Sequence, residues 1–260
     1  MSALSLRQAQ RRGTVALAGR ETRRVLSLWT QTILPAVVTA ALFLVVFGGA
    51  LGARIRQIEG LDYLEFILPG LLVMTVAAQS IANASTSLFQ AKNEGYIEDV
   101  LTSPLRAWQL VAAYMAGALV RSLAAALLIA VAAAPFAGGA ERPLIAAASL
   151  GLTALVFSAL GTIVGVWADT FDQHSFVTAI VVTPLALLGG VFYSARTLDE
   201  PWSTLTQLDP IYYLVDSTRF GFTGFSESPV GASLTVAALV AIGAFTAAAA
   251  VVARGWRLKP

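Results

Sequence analysis

The 260-residue chain contains no cysteine and a single histidine, His174. The first absence removes disulfides, thiolate nucleophiles and Cys-based metal sites, and the second excludes any motif that needs two histidines. Charge is scarce as well. Only 12% of residues are Asp, Glu, Lys or Arg, 57% are hydrophobic and the mean hydropathy is +0.74. A soluble domain carries roughly a quarter charged residues, so lipid must solvate most of this chain. The formal charge of +2 is not gathered on a soluble basic face, which excludes the electrostatic footprint of a nucleic-acid binder. Lysine occurs twice, as Lys92 and Lys259, followed by Asn93 and Pro260. Neither can complete G-x-x-x-x-G-K-[ST], so the chain cannot hydrolyse ATP by that route. The apolar stretches hold no Asp or Glu in their cores, and Glu65 lies only at the edge of one. This counts against a proton- or sodium-driven carrier, whose relay groups are usually intramembrane acids, although backbone carbonyls can bind sodium. His174 stands beside Asp169 and Asp172 in a short loop, which reads as a solvated loop rather than a metal site.

What is present is a series of six apolar stretches near 30–51, 63–88, 109–136, 144–167, 175–194 and 230–252, each about the 20 residues that cross a bilayer. The second and third are long enough to tilt or to reach into water. The predicted fold is an all-α membrane protein of six transmembrane helices. The apolar run begins only near residue 30, too late for a signal peptide. Eleven basic residues fall on the side of the termini (Arg7, Arg11, Arg12, Arg20, Arg23, Arg24, Lys92, Arg106, Arg254, Arg257, Lys259), and five on the other (Arg54, Arg56, Arg142, Arg196, Arg219). By the positive-inside rule both termini are cytoplasmic. Between residues 12 and 29 a helical wheel gathers Val15, Ala18, Thr22, Val25, Leu26 and Trp29 opposite Arg12, Arg20, Arg23, Arg24 and Ser27. The pattern predicts an N-terminal amphipathic interfacial helix with Trp29 as its anchor; the alternative is a disordered basic tail.

Two connecting segments are too organised to be linkers. In Glu94-Gly95-Tyr96-Ile97-Glu98-Asp99-Val100-Leu101-Thr102-Ser103-Pro104-Leu105 the apolar residues recur at helical spacing while Glu98 and Asp99 face away. Pro104 should stop that short helix. Such a helix can dock another protein or pack on its own bundle, and composition leaves both readings open. The second segment, 189–224, is too apolar for an external loop, so it is expected to form a re-entrant helical hairpin between spans five and six. Gly189 and Gly190 break the fifth span, while Pro201 and Asp209-Pro210 mark two helix starts with Asp209 as a cap. Irregular backbone at membrane depth survives only where protein or a hydrated cavity covers it. Asp216 and Arg219, three apart, can pair with each other; a substrate contact is the other reading.

Together these segments resemble the integral-membrane permeases of the ABC-2 transporter family, in its YadH-like, multidrug-type branch. The resemblance rests on E-G-x-I-E-D-x-L-x-S-P-L in the first cytoplasmic loop, and on the Gly-Gly-x-Phe-Tyr-Ser break followed by D-P-I-Y-Y-L-V-D-x-x-R-F-G-F-x-G. It covers nearly the whole chain, as one transmembrane domain over 1–260: elbow region 1–29, membrane domain 30–252 and cytoplasmic tail 253–260. Many relatives have Phe-Pro and Asn-Pro where this chain has Phe192-Tyr193 and Asp209-Pro210.

The resemblance implies the permease subunit of an ATP-driven exporter in a bacterial inner membrane, not itself an enzyme. It implies a homodimer or heterodimer with a second permease, and a separate ABC ATPase subunit. This chain would hold no cofactor, ATP and Mg being bound by that partner, and its remaining contacts would be with membrane lipid. Glu94, Gly95, Tyr96, Ile97, Glu98, Asp99, Leu101, Ser103 and Pro104 would form the coupling segment. Gly189, Gly190, Phe192, Asp209, Pro210, Asp216 and Arg219 would form the outer cap of a path for a drug-, lipid- or glycan-like amphiphile. Gln79, Asn83 and Ser87, four apart on one helix face, either line that path or hold helices together. Fifth-span Phe176, Val181 and Leu185 would give it an apolar wall. Arg121, the basic residue well inside a span, is expected to snorkel to cytoplasmic phosphates or to act at the inner gate. A membrane scaffold or sensor that recruits a soluble partner, and an ion-driven carrier, are the competing functions.

Overall fold

The computed structural model describes residues 5–51, 57–255 and 257–258. Arg54, Arg56 and Lys259 of the charge count lie outside the described residues, as do the side chains of His174 and Val181. The chain begins with α1 (Leu6–Ser27), α2 (Trp29–Thr32) and α3 (Leu34–Val45), which runs into a π-helical turn at 46–51. A two-stranded hairpin, Gln57–Ile58 against Leu61–Asp62, leads to α4 (Tyr63–Asn93). Then come α5 (Ile97–Thr102), α6 (Ala107–Ala137), α7 (Pro143–Trp167), α8 (Phe171–Val177), a second π-helical turn at 178–182 and α9 (Thr183–Leu188). The chain closes with α10 (Trp202–Leu208), α11 (Pro210–Thr223) and α12 (Val230–Ala253).

Among the described residues five helical stretches are long and apolar enough to cross a membrane: Trp29–Gly48, α4, α6, α7 and α12. The fifth predicted stretch, 175–194, differs. It is helical from Phe171 to Leu188 in three pieces and stops six residues short of the expected end. Gly189 caps α9 and Gly190 turns the chain at φ +73°, a backbone state that ends a helix.

The bundle is built around α4. Two-thirds (67%) of its apolar window is enclosed by protein, against 11% of Trp29–Gly48 and 17% of α12, so this chain leaves most of the apolar surface of the first and last stretches uncovered. Its tightest partner is α7, through Gly161 and Gly165. A Cβ at Gly161 would stand 2.6 Å from the Ile81 carbonyl oxygen, and one at Gly165 2.7 Å from that of Ser85. The four-residue spacing stacks both glycines on one face, the close-approach device of membrane helix pairs. Gly165→Ala should therefore lower the unfolding midpoint of the detergent-solubilised protein, although alanine is the better helix former by about 1 kcal/mol. Gly151→Ala, where a Cβ meets nothing within 4 Å, should not lower it.

The N-terminal helix begins with a capping box between Ser5 and Gln8. It runs beside the first half of α6 in the same direction: Gly13 touches Leu105 and Gly117 touches Glu21. The face it buries in the protein is Leu17, Glu21 and Val25, while Val15, Leu26 and Trp29 of the predicted apolar side are exposed. The wheel thus divides three ways, into a protein-facing stripe, an exposed apolar stripe, and arginines.

Candidate functional site

The segment 94–105 takes its shape from Gly95. That residue leaves α4 at φ +79°, and its amide donates to the Lys92 carbonyl at 3.2 Å. In α5, Ile97 is buried, with Tyr96, Val100, Leu101 and Leu105 packed on the cluster of Leu88, Leu110 and Val111. Ser103 leaves the helix extended (ψ 153°), as the residue before Pro104 must. The apolar edge is therefore used within the chain's own bundle, and the acidic edge of Glu94, Glu98 and Asp99 is exposed. α1 clasps the segment: the Gln10 amide donates to the Pro104 carbonyl at 2.9 Å, and the Arg20 guanidinium stands 5.0 Å over the Tyr96 ring. Burial lifts the Tyr96 phenol above its usual range, which keeps it neutral there. From the other end of the chain, Leu258 is buried in the same cluster, and Arg257 donates to the Trp167 carbonyl and the Asp169 carboxylate at 2.9 and 3.1 Å.

At the opposite end the hairpin is knitted by buried charge. Asp209 caps α11 by accepting from the Ile211 amide at 2.9 Å, with Pro210 in the first turn. Phe192 stacks 5.2 Å from Phe47, joining the break after α9 to the first apolar stretch. The predicted Asp216–Arg219 pair is not what forms. Asp216 accepts from the Glu227 and Ser228 amides at 2.6 and 3.3 Å and from the Ser233 hydroxyl at 3.0 Å. Arg219 pairs instead with Glu227 at 3.3 Å. It also donates to the Gly190 carbonyl at 2.7 Å and the Phe66 carbonyl at 3.3 Å, with its guanidinium 3.8 Å from the Phe66 ring centre. The reason is directional. Asp216 turns to the bare amides at the entry to α12, and the Arg219 fork points across α11 toward α4 and the Gly189-Gly190 break.

The third group lies between α1, α4 and α6. Ser87 donates to the Glu21 carboxylate and accepts from Arg24 at 2.6 Å. Arg20 and Arg24 hold Glu21 from either side at 2.9 and 3.1 Å, and Gln90 accepts from Arg24 at 3.2 Å. Asn83, one turn further along α4, is buried, and its Nδ2 has no hydrogen-bond partner among the described residues; the same holds for Gln79 Oε1 and Arg121 Nε. Gln79 borders a groove of about 240 Å³ between α3 and α4, lined also by Pro35, Thr39, Phe43, Met74 and Thr75. Of the expected apolar wall, Phe176 is exposed and Leu185 packs against the core.

The sequence profile of the ABC-2 type transporter family matches residues 12–223. The chain belongs to this family. It is 34% identical to the inner membrane transport permease YadH of Escherichia coli K12 over 241 residues, 92% of this chain and 94% of that protein. It is also similar to nodulation protein J of Rhizobium leguminosarum bv. trifolii (24% over 180 residues, 68% of this chain and 69% of that one). A third relative is nodulation protein J of Rhizobium meliloti (23% over 245 residues, 92% of each). An ABC-2 permease with five long apolar helices is a multi-pass membrane transport protein, and permeases of this family work with ABC ATPase subunits.

Two residues of this ABC-2 permease escaped sequence reasoning. Glu21 sits among Arg20, Arg23 and Arg24 of α1 and reads as one more surface charge, yet it is 1% exposed and bonded to Ser87 of α4. Glu227 lies in a polar connection before α12 and carries no motif. The available signal was arithmetic: a buried Arg219 needs a carboxylate partner, and Asp216 and Glu227 were the acids near it in sequence.

Proposed function

We propose that this ABC-2 permease is the membrane half of an ATP-driven exporter in a bacterial inner membrane. Both termini and the segment 94–105 face the cytoplasm, and residues 171–188 form a sixth, broken crossing. The observation that carries the coupling reading is the split of α5 into an anchored apolar edge and an exposed acidic edge. A partner ATPase that pushes on Glu94, Glu98 and Asp99 moves a lever packed against α1, α6 and the C-terminal tail. Elbow and lever are tied at Gln10–Pro104 and Arg20–Tyr96, so a displacement of α5 reaches α1.

At the other end the re-entrant hairpin of α10 and α11 caps the path. α11 packs against α4, α7 and α12, which supplies the protein cover that such a segment needs at membrane depth. Two copies of the chain, or this chain and a sibling, would form the path between their second and fifth crossings. Of the three polar residues on that face of α4, Gln79 is the one not fully buried, and it is the path-lining candidate. Asn83 and Ser87 are turned into the protein. The substrate is an amphiphile of drug, lipid or glycan type.

Co-expression with candidate ABC ATPase subunits is the test. A stable complex whose ATP hydrolysis depends on the permease is expected. A permease that purifies alone under every condition overturns the exporter reading and favours a scaffold or carrier.

A further inference from the structure

The short β-hairpin before α4 is built on an unfavourable residue. Gln57–Ile58 pairs with Leu61–Asp62, which leaves Glu59 and Gly60 as a two-residue turn. Both have positive φ, +52° and +80°, the geometry that fits the twist of a hairpin and that Asn, Asp or Gly normally supply. Glutamate carries a Cβ into that left-handed region without the short polar side chain that lets Asn or Asp settle there. Turn chemistry therefore does not account for Glu59. A backbone outlier of this kind persists where the surroundings over-determine it.

The Glu59 side chain supplies the reason. Its carboxylate accepts from the Ser194 hydroxyl at 3.0 Å, across 135 residues of sequence. Glu59 is exposed and Ser194 is 1% exposed, so a surface turn reaches into the break after α9. Ser194 opens a short 3₁₀ turn there by accepting from the Arg196 amide at 3.3 Å. The Ala195 amide donates to Glu227 at 2.9 Å, and Glu227 holds Arg219, which donates to the Gly190 carbonyl. Two carboxylates thus grip the break, Glu59 from the connection before α4 and Glu227 from the connection before α12. Beneath the β-hairpin, Ile58 and Leu61 pack on the cluster of Tyr63 and Phe66, which Phe192 and Phe225 join from the cap. The two grips differ in what they can release. Glu227 is buried in an ion pair, and parting it strands a charge. Glu59 can leave Ser194 for water.

We propose that the β-hairpin 57–62 is a releasable strap across the re-entrant cap, with Glu59 as its fastening on Ser194. It ties the entry to α4 to the break after α9, so that the break moves freely only when the strap has let go. The fastening stands on its own geometry. Its purpose, restraining the mouth of the path, rests on the exporter reading proposed above.

The test of the fastening is amide hydrogen exchange over 189–197 in the detergent-solubilised full chain, read beside the unfolding midpoint. Glu59→Asn suits the turn better but is a methylene too short for Ser194. It should raise exchange across the break about three- to tenfold, the range of one hydrogen bond, with the midpoint unchanged or higher. Glu59→Gln, which keeps the length and an acceptor, should retain part of the protection. Ser194→Ala should loosen the break as Glu59→Asn does, and the double variant should add nothing to either. Protection that rises in Glu59→Asn, or that stays at the wild-type level in both single variants, overturns the strap. Single effects that sum in the double variant overturn it too. If Ser194→Ala fails to insert, the contrast between Glu59→Asn and Glu59→Gln decides.

The purpose has its own test. The chain contains no cysteine, so Glu59→Cys with Ser194→Cys offers a single pair to a short bifunctional methanethiosulfonate. In the complex with the partner ATPase, the bridged permease should lose its stimulation of ATP hydrolysis and regain it when the bridge is reduced. Unchanged hydrolysis in the bridged complex overturns the restraint on transport. Failure of the unmodified permease to form any such complex overturns the exporter reading instead, and the exchange result stands apart from it.

Discussion

Arg219→Met is expected to cost this permease about 3–5 kcal/mol, the range for breaking a buried ion pair from one side. Arg219 and Glu227 are each 1% exposed at the side chain, so solvent does not screen the pair or rescue the survivor. Methionine fills most of the volume but leaves the Glu227 carboxylate without its cation and the Gly190 and Phe66 carbonyls without their donor. Three structures then loosen together: the break after α9, the entry to α12 and the start of α4. The measurement is the unfolding midpoint in detergent, with limited proteolysis across 189–229 as the local readout. Arg219→Lys should recover only part of the loss, because one ammonium cannot reach along the guanidinium fork to Phe66, Gly190 and Glu227 at once. The double change Arg219→Met with Glu227→Gln should lie above the single Arg219→Met, since it removes the stranded charge. A single Arg219→Met that unfolds with the wild type would mean that the hairpin is held by packing alone.

Glu98→Lys combined with Asp99→Lys is expected to weaken the complex with the partner ATPase on the order of a hundredfold, since opposed like charges at an interface cost several kcal/mol. The folded permease should be indifferent. Both side chains are exposed, and exposed substitutions usually stay within about 0.5 kcal/mol. Co-purification yield and permease-dependent ATP hydrolysis should fall together while the unfolding midpoint holds. Gly95→Pro breaks the same coupling by another route. Proline is locked near φ −65°, whereas Gly95 sits at +79°, so the lever is misplaced rather than recharged. Leu101→Asp separates the two edges: it should lower the unfolding midpoint, because Leu101 packs on the chain's own cluster. Full complex formation by the charge-reversed permease would remove α5 from the coupling surface.

Much of this was legible because turn chemistry and periodicity are local. Gly189-Gly190 as a stop, Asp209-Pro210 as a start and Pro104 as the end of a short helix all follow from backbone preferences of one or two residues, and each stands where it was read. The apolar periods likewise placed four of the five long crossings to within a few residues. What was not legible involved choosing among partners. Asp216 lies three residues from Arg219 and is the natural mate on a wheel, but the wheel cannot see the Glu227 connection folding back over α11. Glu21 has the same history, because an acid among arginines looks satisfied on the helix that carries it. Only the approach of α4, with Ser87 at its face, makes that acid a buried hub. The spacing of Gly161 and Gly165 was available in the sequence too, but not that α4 would be the helix filling the groove.

The sequence alone determined that this chain lives in lipid, that neither lysine completes a phosphate loop, that the cores of its apolar stretches hold no Asp or Glu, and that most of its charge collects at the two ends of those stretches. Those conclusions need no tertiary contact, because burying an unpaired charge in hydrocarbon is costly wherever the helices lie. Tertiary structure decided which charge meets which. It gave Arg219 to Glu227, turned the apolar edge of α5 inward, and set Arg20 and Arg24 on either side of a buried Glu21. Such choices depend on a few ångströms and on the direction of a side chain, and neither is encoded until the helices have packed.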